Sequence, residues 1–419
     1  MAEEDDTFPT GLGVTEARAL IVSIAQSHGL PTEGISLSAA AGRILATDAI
    51  SPHDVPGFAN SAMDGFVLRG ADLPESGEKH FRLIGEILAG GKAAPVVESG
   101  ACVRITTGAP IPPGADTVVM KENTRIDATR IEGDRVIVMA GTVPAANVRP
   151  AGEDYRAGDI ALKRGCRLGP AQLGVLASFG MTHACVVQRP RAVLLTTGDE
   201  LVAPGDPLGF GQIHDSNRYS LGNLLEYWGV ELVRHERVRD DPAALRDALQ
   251  RAGADADFIV SSGGVSAGEA DFLPRLVSEI GKVHFWKVRL KPGMPFLFGQ
   301  IGAAMLFALP GNPVSGFATC MALVKPALDA MCGVSQKGFM LRARLRTGIN
   351  KRHARAEFQR ARLHCDEGAV LWATPHAKQG SGMLRGVAEA DALVLLPDGA
   401  REFAIGEVVD VMPLPGWPG

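Results

Sequence analysis

The sequence predicts a multidomain fold of the α/β plus β type. It comprises a central parallel α/β/α sheet domain, an inserted mostly-β domain, a helical and extended linker domain, and a small C-terminal β-barrel. Three observations lead there. From Arg191 onward apolar strands alternate with amphipathic helices, the rhythm of a parallel sheet covered on both faces. From Ser51 to Gly152 short apolar runs alternate with Gly/Pro turns, an all-β pattern. Beyond a hinge at Gly333 to Gly338 a second set of short strands follows. A length of 419 residues accommodates about two to four domains.

In chain order, Val14, Ala17, Leu20, Ile21 and Ile24 fall at helical spacing and Gly29-Leu30-Pro31 stops the helix. Residues 37–48 are expected to form a short second helix. Strands are expected at 81–87, 102–106, 117–120 and 135–139. Leu168-Gly169-Pro170 then precedes a helix over 171–179. If that stretch returns beside the N-terminal helix, the linker domain is discontinuous, 11–56 plus 152–190, with the β-rich domain inserted at 57–151.

The α/β domain spans 191–334. AVLLTT reads as its first buried strand. Asp215-Ser216 caps a helix bearing Leu221, Leu224, Leu225 and Trp228 at i, i+3, i+4 and i+7. Asp241-Pro242 opens the next helix, as N-cap and first-turn proline. Strands are expected at 230–233, 258–261, 283–290 and 304–309, and helices at 272–280 and after Pro313. Residues 337–419 carry LRARLR, EFQRARLH, VLWAT, LVLLP and EVVDVM, the strands of the barrel.

Composition narrows the function. Hydrophobic residues at 46% and charged residues at 21% read as soluble and globular. A net charge of −5 disfavours a nucleic-acid binder held by phosphate contacts, despite the local row of Arg342, Arg344 and Arg346. The six cysteines form no C-x-x-C pair, so reduced cytosolic thiols are expected rather than a zinc site or disulfide framework. The acidic N-terminus lacks the apolar core of a signal peptide, and no apolar run is long enough for a membrane span. The expected location is cytoplasmic. The ten histidines show no H-x-x-x-H spacing.

The stretch from Asp257 to Pro295 carries the densest chemistry. The strand DFIVSSGG breaks into Ser262, Gly263 and Gly264, resembling backbone nests that hold phosphate, although no Walker lysine follows. Asp271 follows it, as Glu200 follows the first strand of the domain. Paired carboxylates at neighbouring strand ends suit Mg²⁺, which takes hard oxygen ligands. Each acid alone also fits a helix cap, and a glycine-rich turn alone is ordinary. Lys287, Arg289 and Lys291 alternate along the following strand, which puts them on one face. They fit an anion site or the wet face of an edge strand. An anion about 4 Å from a carboxylate is repelled by roughly 4 kcal/mol at an effective dielectric of about 20. An acid-lined anion site therefore needs a bridging cation, a lysine or arginine cluster, or both.

Eight segments in order resemble the molybdopterin molybdenumtransferase family, the MoeA type also seen in the C-terminal domain of gephyrin. They are SAMDGF (61–66), RITTGAP (104–110), NVRPAGED (147–154), TTGDEL (196–201), GQIHDSN (211–217), SSGGVSAGEADF (261–272), FWKVRLKPGMP (285–295) and LPGNPVS (309–315). The resemblance runs from about Gly13 to Pro413. It implies an enzyme that cleaves adenylylated molybdopterin in a molybdate- and Mg²⁺-dependent step, leaving molybdenum on the dithiolene and releasing AMP. It also implies a homodimer, with the site between the α/β domain of one chain and the SAMDG-bearing domain of the other. The adenylylating enzyme of the pathway and recipient molybdoenzymes are the implied protein partners.

Carried over by position, the resemblance implies catalytic roles for Asp64, Glu200, Asp271, Lys287 and Lys291, with Glu200 and Asp271 holding the metal. It implies substrate-binding roles for Thr107, Asp154, Asp240, Ser262, Gly263, Gly264, Pro310, Pro313, Arg355 and Ser381. One departure stands out: the family often reads K-P-G-K-P, and Met294 replaces its second lysine here. Either the missing cation weakens anion binding or Arg289 compensates for it. A non-catalytic pterin-binding scaffold or carrier on the same fold is the alternative, and a nucleotide-processing hydrolase is the more distant one.

Overall fold

The computed structural model describes residues 8–91, 95–127, 134–264, 272–335 and 340–417. Its centre is a seven-stranded sheet, ordered Thr10–Leu12, Lys282–Val288, Leu297–Ile301, Ala304–Leu309, Phe258–Ser262, Arg191–Thr197 and Glu231–Val238. The last four of these are mutually parallel, as expected. Every residue of Phe258–Ser262 and Ala304–Leu309 is buried, which explains why these strands read as unbroken apolar runs.

Alternating side chains divide two cores. Ala192, Leu194, Phe258 and Val260 pack with Ala17, Ile21, Leu221 and Leu225 on one face. Val193, Leu195 and Ile259 pack with Leu245, Leu249, Leu276 and Val277 on the other. Helices Val14–Ser27, Asn217–Tyr227 and Pro313–Thr319 therefore cover one side, and Pro242–Asp255 and Phe272–Ile280 cover the other. Local signals set the helix starts: Asp215 Oδ1 accepts from Arg218 N–H at 3.0 Å, and Asp241 Oδ1 from Ala243 N–H at 3.1 Å.

The sheet departs from a purely parallel one at Leu297–Ile301, which pairs antiparallel with both neighbours. Sequence reading missed this strand because it lies between two apolar segments and turns into the next through only Gly302 and Ala303. The expected strand over 283–290 also divides. Lys287 sits at φ +62°, and the faces invert there. Trp286 packs in one core, while Phe285, Val288 and Leu290 all pack in the other. Leu290–Lys291 then leaves the sheet and pairs with Ala356 and Glu357 of the C-terminal domain.

Thr32–Ser36 pairs with His183–Val187 and Ala49–Ile50 with Ile160–Leu162, so the first segment and the segment after the β-rich module lie together. The helix expected over 37–48 is reduced to one turn, Leu37–Ala39. Its backbone is taken by the returning chain: Leu45 N–H donates to Cys166 O and Ala46 N–H to Cys185 O, both at 2.9 Å. Between these segments lies a six-stranded sheet ordered Thr117–Met120, Gly65–Leu68, Ala101–Ile105, Glu78–Ile87, Arg135–Met139 and Thr124–Asp127.

At the C-terminus, Ala356–Cys365, Leu371–Pro375, Leu341–Leu345, Val408–Pro413 and Ala392–Leu396 pair in turn. The first and last of these also pair with each other, closing the barrel. Part of the expected hinge at Gly333 to Gly338 lies outside the described residues. Among the described residues no helix is long and apolar enough to cross a membrane.

Candidate active site

Three parallel strands end side by side. Thr196 is in register with Ser262, and Ser262 with Leu309. The turns that follow approach each other closely. Gly263 has φ +98°, and a Cβ there would lie 2.4 Å from the Thr197 carbonyl oxygen. A Cβ on Gly311 would lie 3.3 Å from Gly263 Cα. Glycine is thus required for both conformation and space. Asn217 fastens the cradle, its Nδ2 donating to Ser262 Oγ at 2.8 Å and Gly311 O at 2.7 Å. Ser262 Oγ also lies 3.4 Å from Pro310 O, and Pro313 opens the following helix.

Among the described residues, three buried polar atoms on these elements lack a hydrogen-bond partner: Thr197 Oγ1, Asn217 Oδ1 and Ser220 Oγ. An unsatisfied buried polar atom costs about 1–3 kcal/mol. Three at the mouth of one sheet mark a surface built for a polar ligand, in the crevice where open α/β sheets bind theirs.

Glu200 and Asp240 lie on loops that follow neighbouring strands of this sheet. Glu200 is exposed, and its carboxylate folds back over Gly198, where a Cβ would lie 2.6 Å from Oε2. No ion pair engages Glu200 among the described residues, which leaves a hard-oxygen donor suited to Mg²⁺. Asp240 reaches the same loop, its N–H donating to Asp199 Oδ1 at 3.3 Å. Asp271, Glu269 and the rest of VSAGEAD lie outside the described residues. No set of three His, Cys, Asp or Glu residues that could hold a metal is assembled among the described ones.

The three cations do not share a face. The left-handed backbone at Lys287 breaks the alternation, and each side chain takes a different partner. Lys287 Nζ lies 3.8 Å from the Trp286 ring centroid. Arg289 donates to Gly11 O at 3.0 Å and lies 4.0 Å from Asp398. Lys291 Nζ lies 3.1 Å from Glu357 Oε1. Arg289 is thus committed elsewhere and does not stand in at Met294. The guanidinium beside Met294 belongs to Arg355, whose NH1 lies 3.7 Å from the Met294 sulfur. Ser381 also reaches the rim, its carbonyl accepting from Val314 N–H at 3.1 Å, one residue beyond Pro313.

Asp64, Thr107 and Asp154 lie exposed in and beside the β-rich module. Asp64 Oδ1 accepts from Thr107 N–H at 2.8 Å and Thr107 Oγ1 at 2.9 Å. These two bonds, the backbone one foremost, hold the Asp64 carboxyl below its ordinary range, so it is ionised at neutral pH. Asp154 N–H donates to Val55 O at 3.0 Å.

Sequence reading missed Thr197, Asn217 and Glu357. Thr197 lies within TTGDEL and Asn217 within GQIHDSN, but neither was given a role of its own, since Asn217 also reads as an ordinary cap. Glu357 is 5% exposed in its side chain and lies in an alternating strand, where nothing local marks it.

The MoeA N-terminal region (domain I and II) matches residues 12–180, the probable molybdopterin binding domain 193–330, and the MoeA C-terminal region (domain IV) 342–414. The fold and its glycine-lined sheet mouth are therefore those of a multidomain protein carrying the molybdopterin-binding type of α/β domain. The chain is 36% identical over 384 residues to a molybdopterin molybdenumtransferase of Haemophilus influenzae, covering 91% of this chain and 94% of that one. It is 34% identical over 394 residues to one of Nostoc sp., covering 92% and 89%. A solved molybdopterin biosynthesis MoeA protein from Pyrococcus horikoshii OT3 superposes with a TM-score of 0.82 at 26% identity, covering 96% of this chain and 100% of that one. The chain belongs to the molybdopterin molybdenumtransferase family, the MoeA type.

Proposed function

We propose that this chain inserts molybdate into adenylylated molybdopterin, releasing AMP and yielding molybdenum cofactor. The observation that carries the reading is the convergence at one sheet mouth of a glycine cradle, three unsatisfied buried polar atoms, and an exposed Glu200. The turns formed by Thr197, Ser262, Gly263 and Gly264 receive the pterin and its phosphates. Pro310 and Pro313 shape the adjoining turn. Asp240 orders the Glu200 loop through Asp199.

Glu200 and Asp271 hold Mg²⁺, which when bound neutralises charge on the pyrophosphate. Lys287 and Lys291 stabilise negative charge on the departing AMP or the incoming molybdate. Arg355 adds a positive charge beside Met294, and Ser381 binds from the barrel side. Asp64, Thr107 and Asp154 complete the site from the β-rich module of a second copy, so the working form is a homodimer in the cytoplasm. Asp64, ionised and fixed by Thr107, orients donors on the substrate and does not act as a general acid at neutral pH.

The test is AMP release from adenylylated molybdopterin with and without molybdate, for the natural protein and Asp271→Ala. Release is expected to require both molybdate and Mg²⁺, and the variant to lose it without a change in melting temperature. Equal rates would remove Asp271 from the mechanism. Release independent of molybdate would favour a nucleotide hydrolase, and no release at any Mg²⁺ concentration would favour a scaffold.

A further inference from the structure

We infer that Glu357 and His353, inside the C-terminal barrel, are positioning residues that fix Lys291 toward the mouth of the α/β sheet. The inference rests on the reading of Lys291 as an anion-holding residue. Three independent features carry it.

First, the backbone of Lys291 belongs to the barrel. Leu290–Lys291 pairs parallel with Ala356 and Glu357, and Ala356 N–H donates to Arg289 O at 3.1 Å. The residue opposite Lys291 in that register is Glu357.

Second, the Glu357 carboxylate is held at both ends. Oε1 lies 3.1 Å from Lys291 Nζ, and Oε2 lies 3.1 Å from His353 Nε2. The Glu357 side chain is 5% exposed and that of Lys291 is 42% exposed. The acid is therefore a rigid anchor and the lysine the part that faces solvent and ligand. An acid so enclosed cannot reach a substrate itself.

Third, the surroundings direct His353 to this one task. Its Nδ1 is buried without a partner among the described residues, so the ring's one described hydrogen bond is to Glu357. Burial holds the imidazole below its ordinary range; Glu357 opposes that shift, and Lys291, Lys351 and Arg355 add to it. The neutral ring then carries its proton on Nε2 and donates it to the carboxylate. The neighbouring Lys351 does not compete, since its Nζ donates to His353 O at 2.8 Å and Gly399 O at 2.6 Å.

A lysine stem samples many rotamers unless held, and its ammonium is a point charge whose effect depends on where it sits. Holding it against a buried acid pre-organises that charge, the condition for electrostatic catalysis. The barrel thereby contributes to the site through Lys291 as well as by covering it.

The experiment is a double-mutant cycle on molybdate-dependent AMP release, with Lys291→Met, Glu357→Gln and the combination, alongside thermal melts. Glu357→Gln alone is expected to lower kcat/KM by about tenfold or more, since small misplacements of a charged group cost up to about 100-fold. In the Lys291→Met background it is expected to cost less than about twofold, because the residue it acts through is gone. If Glu357→Gln does not fold, His353→Gln frees one carboxylate oxygen while keeping the buried acid, and the same cycle is run with it. An unchanged rate in a folded Glu357→Gln protein, or an equal loss in both backgrounds, would overturn the inference while leaving the assignment of Lys291 standing. A natural rate in Lys291→Met would instead remove that assignment, and the inference with it.

Discussion

Replacing Gly263 by alanine probes the cradle directly. At φ +98° an L-residue pays a steric penalty of about 1–2 kcal/mol. The added Cβ would also lie 2.4 Å from the Thr197 carbonyl oxygen and 2.6 Å from its Oγ1. The carbonyl belongs to the end of a buried strand and cannot swing aside. The contact must open by about 0.6 Å to reach 3.0 Å, the limit for real Cβ contacts. Overpacking of this kind costs about 1–3 kcal/mol, so a total near 3 kcal/mol is expected. That lowers the melting temperature by roughly 6–12 °C for a domain of this size. Displacing the turn also misplaces the donors that receive phosphate, so AMP release should fall by about tenfold or more. Gly229→Ala is the control: its φ of +88° carries the same backbone penalty, but a Cβ there meets nothing within 4 Å. Differential scanning calorimetry and the AMP assay compare the two. If Gly263→Ala melts with Gly229→Ala and keeps full activity, the tight cradle plays no part in function.

Three further outcomes are expected. Asn217→Asp removes the amide that donates to Ser262 Oγ and Gly311 O and sets a carboxylate against the Gly311 carbonyl; a loss of about 2 kcal/mol and a fall in activity should follow, and unchanged values would exclude the clamp. Arg360, 1% exposed, donates to Gln379 Oε1, Met383 O and Lys378 O and so holds the loop bearing Ser381; Arg360→Met should destabilise the barrel by about 3 kcal/mol, read as an earlier melting transition, and a natural melt would contradict it. His235, His284, His353 and His376 all lie below the ordinary imidazole range, with burial the first cause. The unfolded chain then binds more protons below about pH 6.5, so stability present above that pH is lost as pH falls toward the depressed folded values. Melting temperature should therefore drop between about pH 7 and 5.5, less steeply in His235→Gln, and a flat profile would refute the burial argument.

How much of this was legible in the sequence follows from the range of each signal. Strand–helix alternation and caps are local, so Asp215, Asp241 and Pro242 announced their helices correctly. The loops after Thr197, Ser262 and Leu309 meet beyond the carboxyl ends of their parallel strands, where such sheets bind ligands. The face of the cation row was not legible, because one left-handed residue, Lys287, inverts the alternation and nothing in its side chain signals this. The helix expected over 37–48 failed for a non-local reason: residues 166 and 185 supply the carbonyls its amides use. Glu357 stayed hidden because its meaning depends on a parallel pairing with Lys291, a residue 66 positions earlier in the chain. Family resemblance supplied the substrate, which neither spacing nor charge could name.

The location of the metal tests the account most directly. Crystals of the natural protein with adenylylated molybdopterin and Mn²⁺ in place of Mg²⁺ permit anomalous diffraction at the manganese edge. One strong peak is expected about 2.1 Å from the Glu200 carboxylate, at the mouth lined by Ser262 and Gly263. A peak elsewhere, with Glu200 facing only solvent while the pterin is bound, would contradict it.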